Sequence, residues 1–181
     1  KGRIEDYYIN GIKQSLFYAS YVGLDNKGID SVTNNGPYEG YYKSGIISFK
    51  SNYINNIEVG DYISYYESGE IKYKVNYVDG LAQGEQTGYY ESGEKEFTRN
   101  WVDDLAQGEQ INYYDSGEIK SIGNYVDGLR SGEYINYYKS GELSTKLKYI
   151  EDKQQGEGIS YYISGEIQIK ENFVNGLKNG K

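Results

Sequence analysis

Apolar and polar side chains alternate along this chain in short runs, and the runs return every 24 residues. Ile63 and Tyr65 alternate with polar neighbours ahead of a Ser-Gly step, as do Ile111 with Tyr113 and Ile135 with Tyr137. Behind the step, Ile71, Tyr73, Val75 and Tyr77 alternate with Lys72, Lys74 and Asn76. A period of two marks a strand with one apolar side. A Tyr-Tyr pair keeps the beat at Tyr41-Tyr42, Tyr65-Tyr66, Tyr89-Tyr90, Tyr113-Tyr114, Tyr137-Tyr138 and Tyr161-Tyr162. A fixed period of this size denotes a repeat array, in which each unit leans on its neighbours and no single core is enclosed.

Two glycine columns divide each unit. One runs through Gly36, Gly60, Gly84, Gly108, Gly132, Gly156 and Gly180, the other through Gly45, Gly69, Gly93, Gly117, Gly141 and Gly165. Two turns per unit imply one β-hairpin per repeat. At the first turn, as in Glu67-Ser68-Gly69, a two-residue loop would place Tyr65 opposite Lys72. A three-residue loop, with Gly69 left-handed, pairs Tyr65 with Ile71 and gathers the apolar residues on one face, since a slip of one residue exchanges faces. The second loop is taken. The other turn, Asp79 to Gly84 and its copies, reads as longer, and Asp104, in the column of Gly80, Gly128 and Gly176, suggests a different turn there. Leu81, Leu105, Leu129 and Leu177 are expected to fold back over the end of the apolar stripe.

The expectation is an all-β fold: an extended antiparallel β-meander of tandem 24-residue β-hairpins, a single twisted sheet with open ends. One face would carry the Ile and Tyr columns with the aromatic column Tyr53, Tyr77, Trp101, Tyr125, Tyr149 and Phe173. The other would carry Lys, Asn, Ser and the second tyrosine of each pair. Residues 1–181 read as one array. Its irregular part is residues 19–37: Tyr7-Tyr8 precedes Tyr41-Tyr42 by 34 residues instead of 24, and Leu24 to Asn35 reads as a mobile loop rich in Asn, Asp, Gly and Ser. Lys1-Gly2 occupies the repeat phase of Asn179-Gly180, so the array is expected to be a stretch of a longer protein.

The elements Tyr113-Tyr114, Ser116-Gly117-Glu118 and Tyr125 to Glu133 resemble a MORN repeat, and more closely its bacterial variant, found in YwqK-type antitoxins. The resemblance covers nearly the whole chain. It implies a scaffold, associated with membranes or assemblies in eukaryotic arrays and with immunity proteins in bacterial ones.

Composition narrows the chemistry. Cysteine, histidine and methionine are absent, which removes disulfides, thiolates and imidazole and leaves carboxylates, Lys, Tyr, Ser and Thr for any catalysis. The net charge of −8 disfavours nucleic-acid phosphates and anionic lipid, and suits a basic protein partner. Glutamates form columns, Glu70, Glu94, Glu118, Glu142 and Glu166, and Glu85, Glu109, Glu133 and Glu157. These are either a ladder of oxygen ligands for Ca²⁺ or solvated residues flanking turns; without the dense Asp-x-Asp-x-Gly loop, the second reading prevails. No metal or cofactor is expected.

The candidate partner-binding surface is the row of second tyrosines, Tyr42, Tyr66, Tyr90, Tyr114, Tyr138 and Tyr162. Such a row either anchors a partner or stacks on itself and covers the sheet, and the sequence leaves both open. The expected function is a non-catalytic scaffold that binds a protein, with a basic toxin as partner if the antitoxin likeness holds. A surface-assembly component is the alternative, and a membrane scaffold a more distant one. Open edges invite end-to-end self-association. The compartment is cytoplasmic in the antitoxin reading and the cell surface in the assembly reading.

Overall fold

The computed structural model describes residues 2–7, 11, 13–24 and 30–180, with the backbone alone over 17–24 and 30–32. Tyr8 and the centre of the expected loop, residues 25–29, lie outside the described residues. Every regular element among the described residues is a β-strand, and each registered pairing is antiparallel. The chain divides into two compact units, residues 1–84 and 85–181.

In the first unit, β1 (Gly2–Tyr7), β2 (Lys13–Leu24), β3 (Asp30–Tyr41) and β4 (Ile47–Ile54) pair in chain order. β4 then pairs with both β5 (Ile57–Glu58) and β6 (Gly60–Tyr65), and β6 pairs with β7 (Ile71–Val78). The division between units falls within β8 (Leu81–Tyr89). In the second unit, β9 (Lys95–Val102) pairs with β10 (Leu105–Ala106) and β11 (Gly108–Tyr113). β12 (Ile119–Val126), β13 (Leu129–Tyr137) and β14 (Leu143–Ile150) follow in turn. β15 (Lys153–Gln154) and β16 (Gly156–Tyr161) both pair with β14, then β17 (Ile167–Val174) pairs with β16 and β18 (Leu177–Lys178) with β17.

The Ser-Gly turn is the three-residue loop expected. Gly69 has φ +94° and its N–H donates to the Tyr66 carbonyl at 2.9 Å, while Tyr66 N–H donates to Glu70 O at 2.8 Å, and Tyr65 stands opposite Ile71. A bulge follows at once: Ser64 pairs with Tyr73 instead of Lys72, so Ile63 meets Lys74 and Tyr62 meets Val75. This corrects the expected faces. The extra residue transfers the partner strand by one position, so Tyr62 and Ser64 share a face with Tyr73, Val75 and Tyr77, and Ile63 lies on the other with Lys74. Serine thus sits on the aromatic side: Ser51 and Ser64 are buried there, while Ile71 is 38% exposed. The second face is not simply wet either. In the second unit it carries the row Thr98, Ile111, Ile122, Ile135 and Lys146, each registered opposite the next.

The second turn is tighter than expected. Val126 pairs directly with Leu129 and Val102 with Leu105, leaving two residues between. Asp127 and Gly128 have φ +50° and +82°, and Asp103 and Asp104 have +49° and +64°. Both are type I′ geometry, so Asp104 does not alter the turn; a short polar side chain tolerates the left-handed region. The apparent extra length belongs to a separate kink at the following glycine, as at Gly84 with φ +75°. The leucines after this turn stay on the surface instead of closing the stripe: Leu105 is 48% and Leu177 75% exposed. They lie directly opposite exposed valines across a two-residue turn, which leaves no slack for folding back.

The insertion is likewise not a loop over Asp30 to Asn35. It lengthens a hairpin: β2 and β3 are twelve residues each and pair as far as Leu24 with Asp30, through register shifts at Phe17/Ala19 and Tyr21/Gly23. Low strand propensity in this segment is overridden by the pairing of its two arms with each other. Asn34 and Asn35 are also tied to the next turn, Asn34 N–H donating to Asn56 Oδ1 at 2.7 Å and Asn55 N–H to Asn35 Oδ1 at 3.0 Å.

Candidate functional site

The second tyrosine of each pair follows the turn bulge into position over the neighbouring hairpin. Tyr42 donates its hydroxyl proton to the Tyr65 carbonyl at 2.5 Å, Tyr90 to Tyr113 at 2.8 Å, Tyr114 to Tyr137 at 2.8 Å and Tyr138 to Tyr161 at 2.6 Å. Each bond reaches 23 residues ahead, so one repeat holds the backbone of the next. These four are half-buried, and burial together with Glu96 and Asp115 holds the Tyr90 hydroxyl above its ordinary range. Lys72 lies 5.6 Å from the Tyr66 ring centroid and Lys120 5.7 Å from that of Tyr114, a cation–π arrangement. Tyr162 is 49% exposed. Four of the six therefore link repeats through their hydroxyls.

A second ladder holds the opposite hairpin ends. Gly128 N–H donates to Ala106 O and Gly176 N–H to Gln154 O, both at 2.9 Å, while Asp127 N–H donates to Gln107 Oε1 and Asn175 N–H to Gln155 Oε1 at 2.8 and 2.9 Å. Arg130 and Asp152 add an ion pair at 2.8 Å, which lowers the Asp152 pKa and raises that of Arg130.

The aromatic face is the larger candidate surface. In the first unit Phe49 stacks on Tyr62 (centroids 5.7 Å, 8° between planes) and Tyr62 on Tyr73 (5.5 Å, 16°). Tyr38 tilts against Phe49 at 5.4 Å. Gly40 gives the Phe49 ring its room, since a Cβ there would lie 2.1 Å from the ring. In the second unit Gly88 does the same for Phe97 at 2.2 Å and Gly123 for Tyr134 at 2.5 Å. Strand glycines thus alternate with rings across the sheet, a role distinct from the turn glycines. No large described side chain falls below 2% exposure, so the stacked and tilted rings are still reached by solvent.

Repeat alignment places Arg99 in the column of Val75 and Leu147, and Gln110, like Gln86, in that of Tyr62 and Tyr134. Both project on the aromatic face of the second unit. Comparing columns, not neighbours along one strand, is the signal that singles them out, and the Tyr-pair pattern passes over it. The glutamate columns do not converge: among the described residues no three acidic side chains form a group that could hold a metal ion.

Residues 34–55, 58–79 and 106–127 match the family model of the MORN repeat variant. The matched stretches start 24 and 48 residues apart, on the period of the hairpins (58 − 34 and 106 − 58). Three of the hairpin units are therefore similar to MORN-type repeats, and the strands between and beyond them keep the same period. No curated protein matches the chain.

Proposed function

We propose that this chain is a non-catalytic scaffold that docks a basic protein partner on its aromatic surfaces. The observation that carries the reading is the stacked ladder Tyr38, Phe49, Tyr62 and Tyr73, which no second layer of the described residues covers. A single sheet spends its aromatic residues on one face, and an uncovered aromatic face is an interaction surface. Charge selects the occupant. With a net charge of −8 the chain attracts a cationic partner, and ring faces accept Arg and Lys side chains. The molecule uses the same chemistry within itself, Arg130 lying 4.3 Å from the Tyr149 centroid.

The row Tyr42, Tyr66, Tyr90, Tyr114, Tyr138 and Tyr162 takes part in this reading through its ring faces, the hydroxyls of Tyr42, Tyr90, Tyr114 and Tyr138 being held by the next repeat. A toxin with a basic surface is the partner that the antitoxin likeness favours. Affinity capture with the intact chain tests the proposal. A stoichiometric basic protein should be retained, released as salt rises, and lost when Tyr62 is replaced by Ser in a variant with unchanged circular dichroism. Retention of an acidic protein, or capture indifferent to Tyr62→Ser, would refute it.

A further inference from the structure

The second unit carries a cation, Arg99, that forms no ion pair among the described residues, Glu96 acting on it only at a distance. The Arg99 guanidinium is half-buried 4.7 Å from the Phe97 ring centroid. Nη1 donates to the carbonyls of Thr98 at 3.1 Å and Ile111 at 3.0 Å, and Nη2 donates to Asn112 Oδ1 at 2.6 Å. Those three bonds leave the Nε–H and one Nη2–H without a protein acceptor. Arg130, in the same unit, shows the usual solution, an ion pair with Asp152 at 2.8 Å. Arg99 has no such pair, and burial pulls its pKa down.

The surroundings are a built hollow of about 310 Å³, walled by Trp101, Tyr125 and Tyr134 and floored by Ala106, Gln110 and Asn112. Gln110 is 4% exposed. Its Nε2 donates to the carbonyls of Asn100 at 3.1 Å and Gln107 at 3.4 Å. Two carbonyl acceptors on that side fix the orientation of the amide. Its Oε1 is consequently left buried without a donor. A buried acceptor left unmatched destabilises the fold, and a half-buried guanidinium calls for a carboxylate that its planar fork matches. A larger hollow of about 460 Å³ near Lys170 and Lys178 lacks this character, because those lysines already pair with Glu157 at 2.8 Å and Glu171 at 2.7 Å.

We propose that the Arg99 hollow binds a small carboxylate ligand that also carries a hydrogen-bond donor. The carboxylate takes the free Nε and Nη2 donors of Arg99. The ligand's hydroxyl or amide N–H donates to Gln110 Oε1, and its body lies against Trp101 and Tyr125. The site stands independently of the protein-docking reading, since its ligand is anionic and its evidence lies in other residues.

Trp101 is the single tryptophan of the chain and lines the hollow, so its emission reports occupancy directly. The intact chain would be titrated with D-glucuronate, whose donors are hydroxyls, and with N-acetylglutamate, whose donor is an amide. D-glucose and N-acetylglutamine serve as neutral counterparts. A saturable change with at least one carboxylate and with neither neutral compound is expected, and the responding arm identifies the source of the donor. Asn112→Asp would place a carboxylate on the Arg99 guanidinium while keeping its shape, so it should raise the melting temperature and weaken ligand binding by at least about tenfold. Arg99→Gln should abolish the response and Arg130→Gln should leave it intact. No saturable response to either carboxylate, equal response to the neutral compounds, or unchanged affinity in Asn112→Asp would overturn the assignment.

Discussion

Removing the hydroxyls of Tyr90, Tyr114 and Tyr138 together, by substitution with Phe, isolates the bonds that join one repeat to the next. Each ring stays, so packing is conserved and only three hydrogen bonds, of 2.8, 2.8 and 2.6 Å, are lost. A net intramolecular hydrogen bond contributes about 0.5–1.5 kcal/mol. The half-buried setting favours the lower part of that range, because water can reach a freed carbonyl. The three sites recur every other strand, roughly 10 Å apart at the usual strand spacing, so their effects should nearly add. The triple variant should lose about 1.5–3 kcal/mol in urea denaturation with an unchanged m-value. Hydrogen exchange should place the loss in the strand pairs after each turn, since an array can open locally. Tyr162→Phe, at an exposed position, should change stability by less than about 0.5 kcal/mol. A triple variant as stable as the parent, or Tyr162→Phe as costly as Tyr114→Phe, would show that the row does not join repeats.

Other consequences are as definite. Gly123→Ala should destabilise by about 1–3 kcal/mol, because its Cβ would lie 2.5 Å from the rigid Tyr134 ring; thermal denaturation would check it. Glu151→Gly should stabilise by about 0.5–1 kcal/mol by releasing a bulky residue from φ +48°, read by the same assay. Raising the pH should weaken the fold: burial and the Glu39 hydrogen bond push Tyr41 up to about 12, and burial raises Tyr53 and Tyr125. The folded state then holds protons that the unfolded chain releases, so this stability is complete below the ordinary tyrosine range near 10 and is lost above it. Denaturation midpoints that stay level or rise through that window would contradict the assignment.

The sequence made the hairpins, the three-residue Ser-Gly loop and the Tyr65–Ile71 pairing readable, because glycine position and period-two alternation are local. The faces were not readable. Each strand alternates cleanly by itself, and the bulge after Ile71 decides which alternation of one strand meets which of the next. One uncounted residue moved Ile63 to the side of Lys74 and brought Ser64 among the rings. The tight Asp127-Gly128 turn was hidden by the kink that follows it. The Tyr row was visible as a row, yet its hydroxyl bonds reach 23 residues ahead and depend on how hairpins stack. Arg99 differs from its column-mates in plain sight, and Gln110 with Gln86 departs from the tyrosines of their column, but their meaning depends on that same face assignment.

Nuclear Overhauser contacts across the β6–β7 hairpin test the central claim most directly, since the make-up of the aromatic face follows from its register. The account predicts contacts from the Tyr62 ring to Tyr73 and to Val75, with Ile63 near Lys74. Contacts from Ile63 to Tyr73 and Val75, with Tyr62 turned toward Lys74, would contradict it.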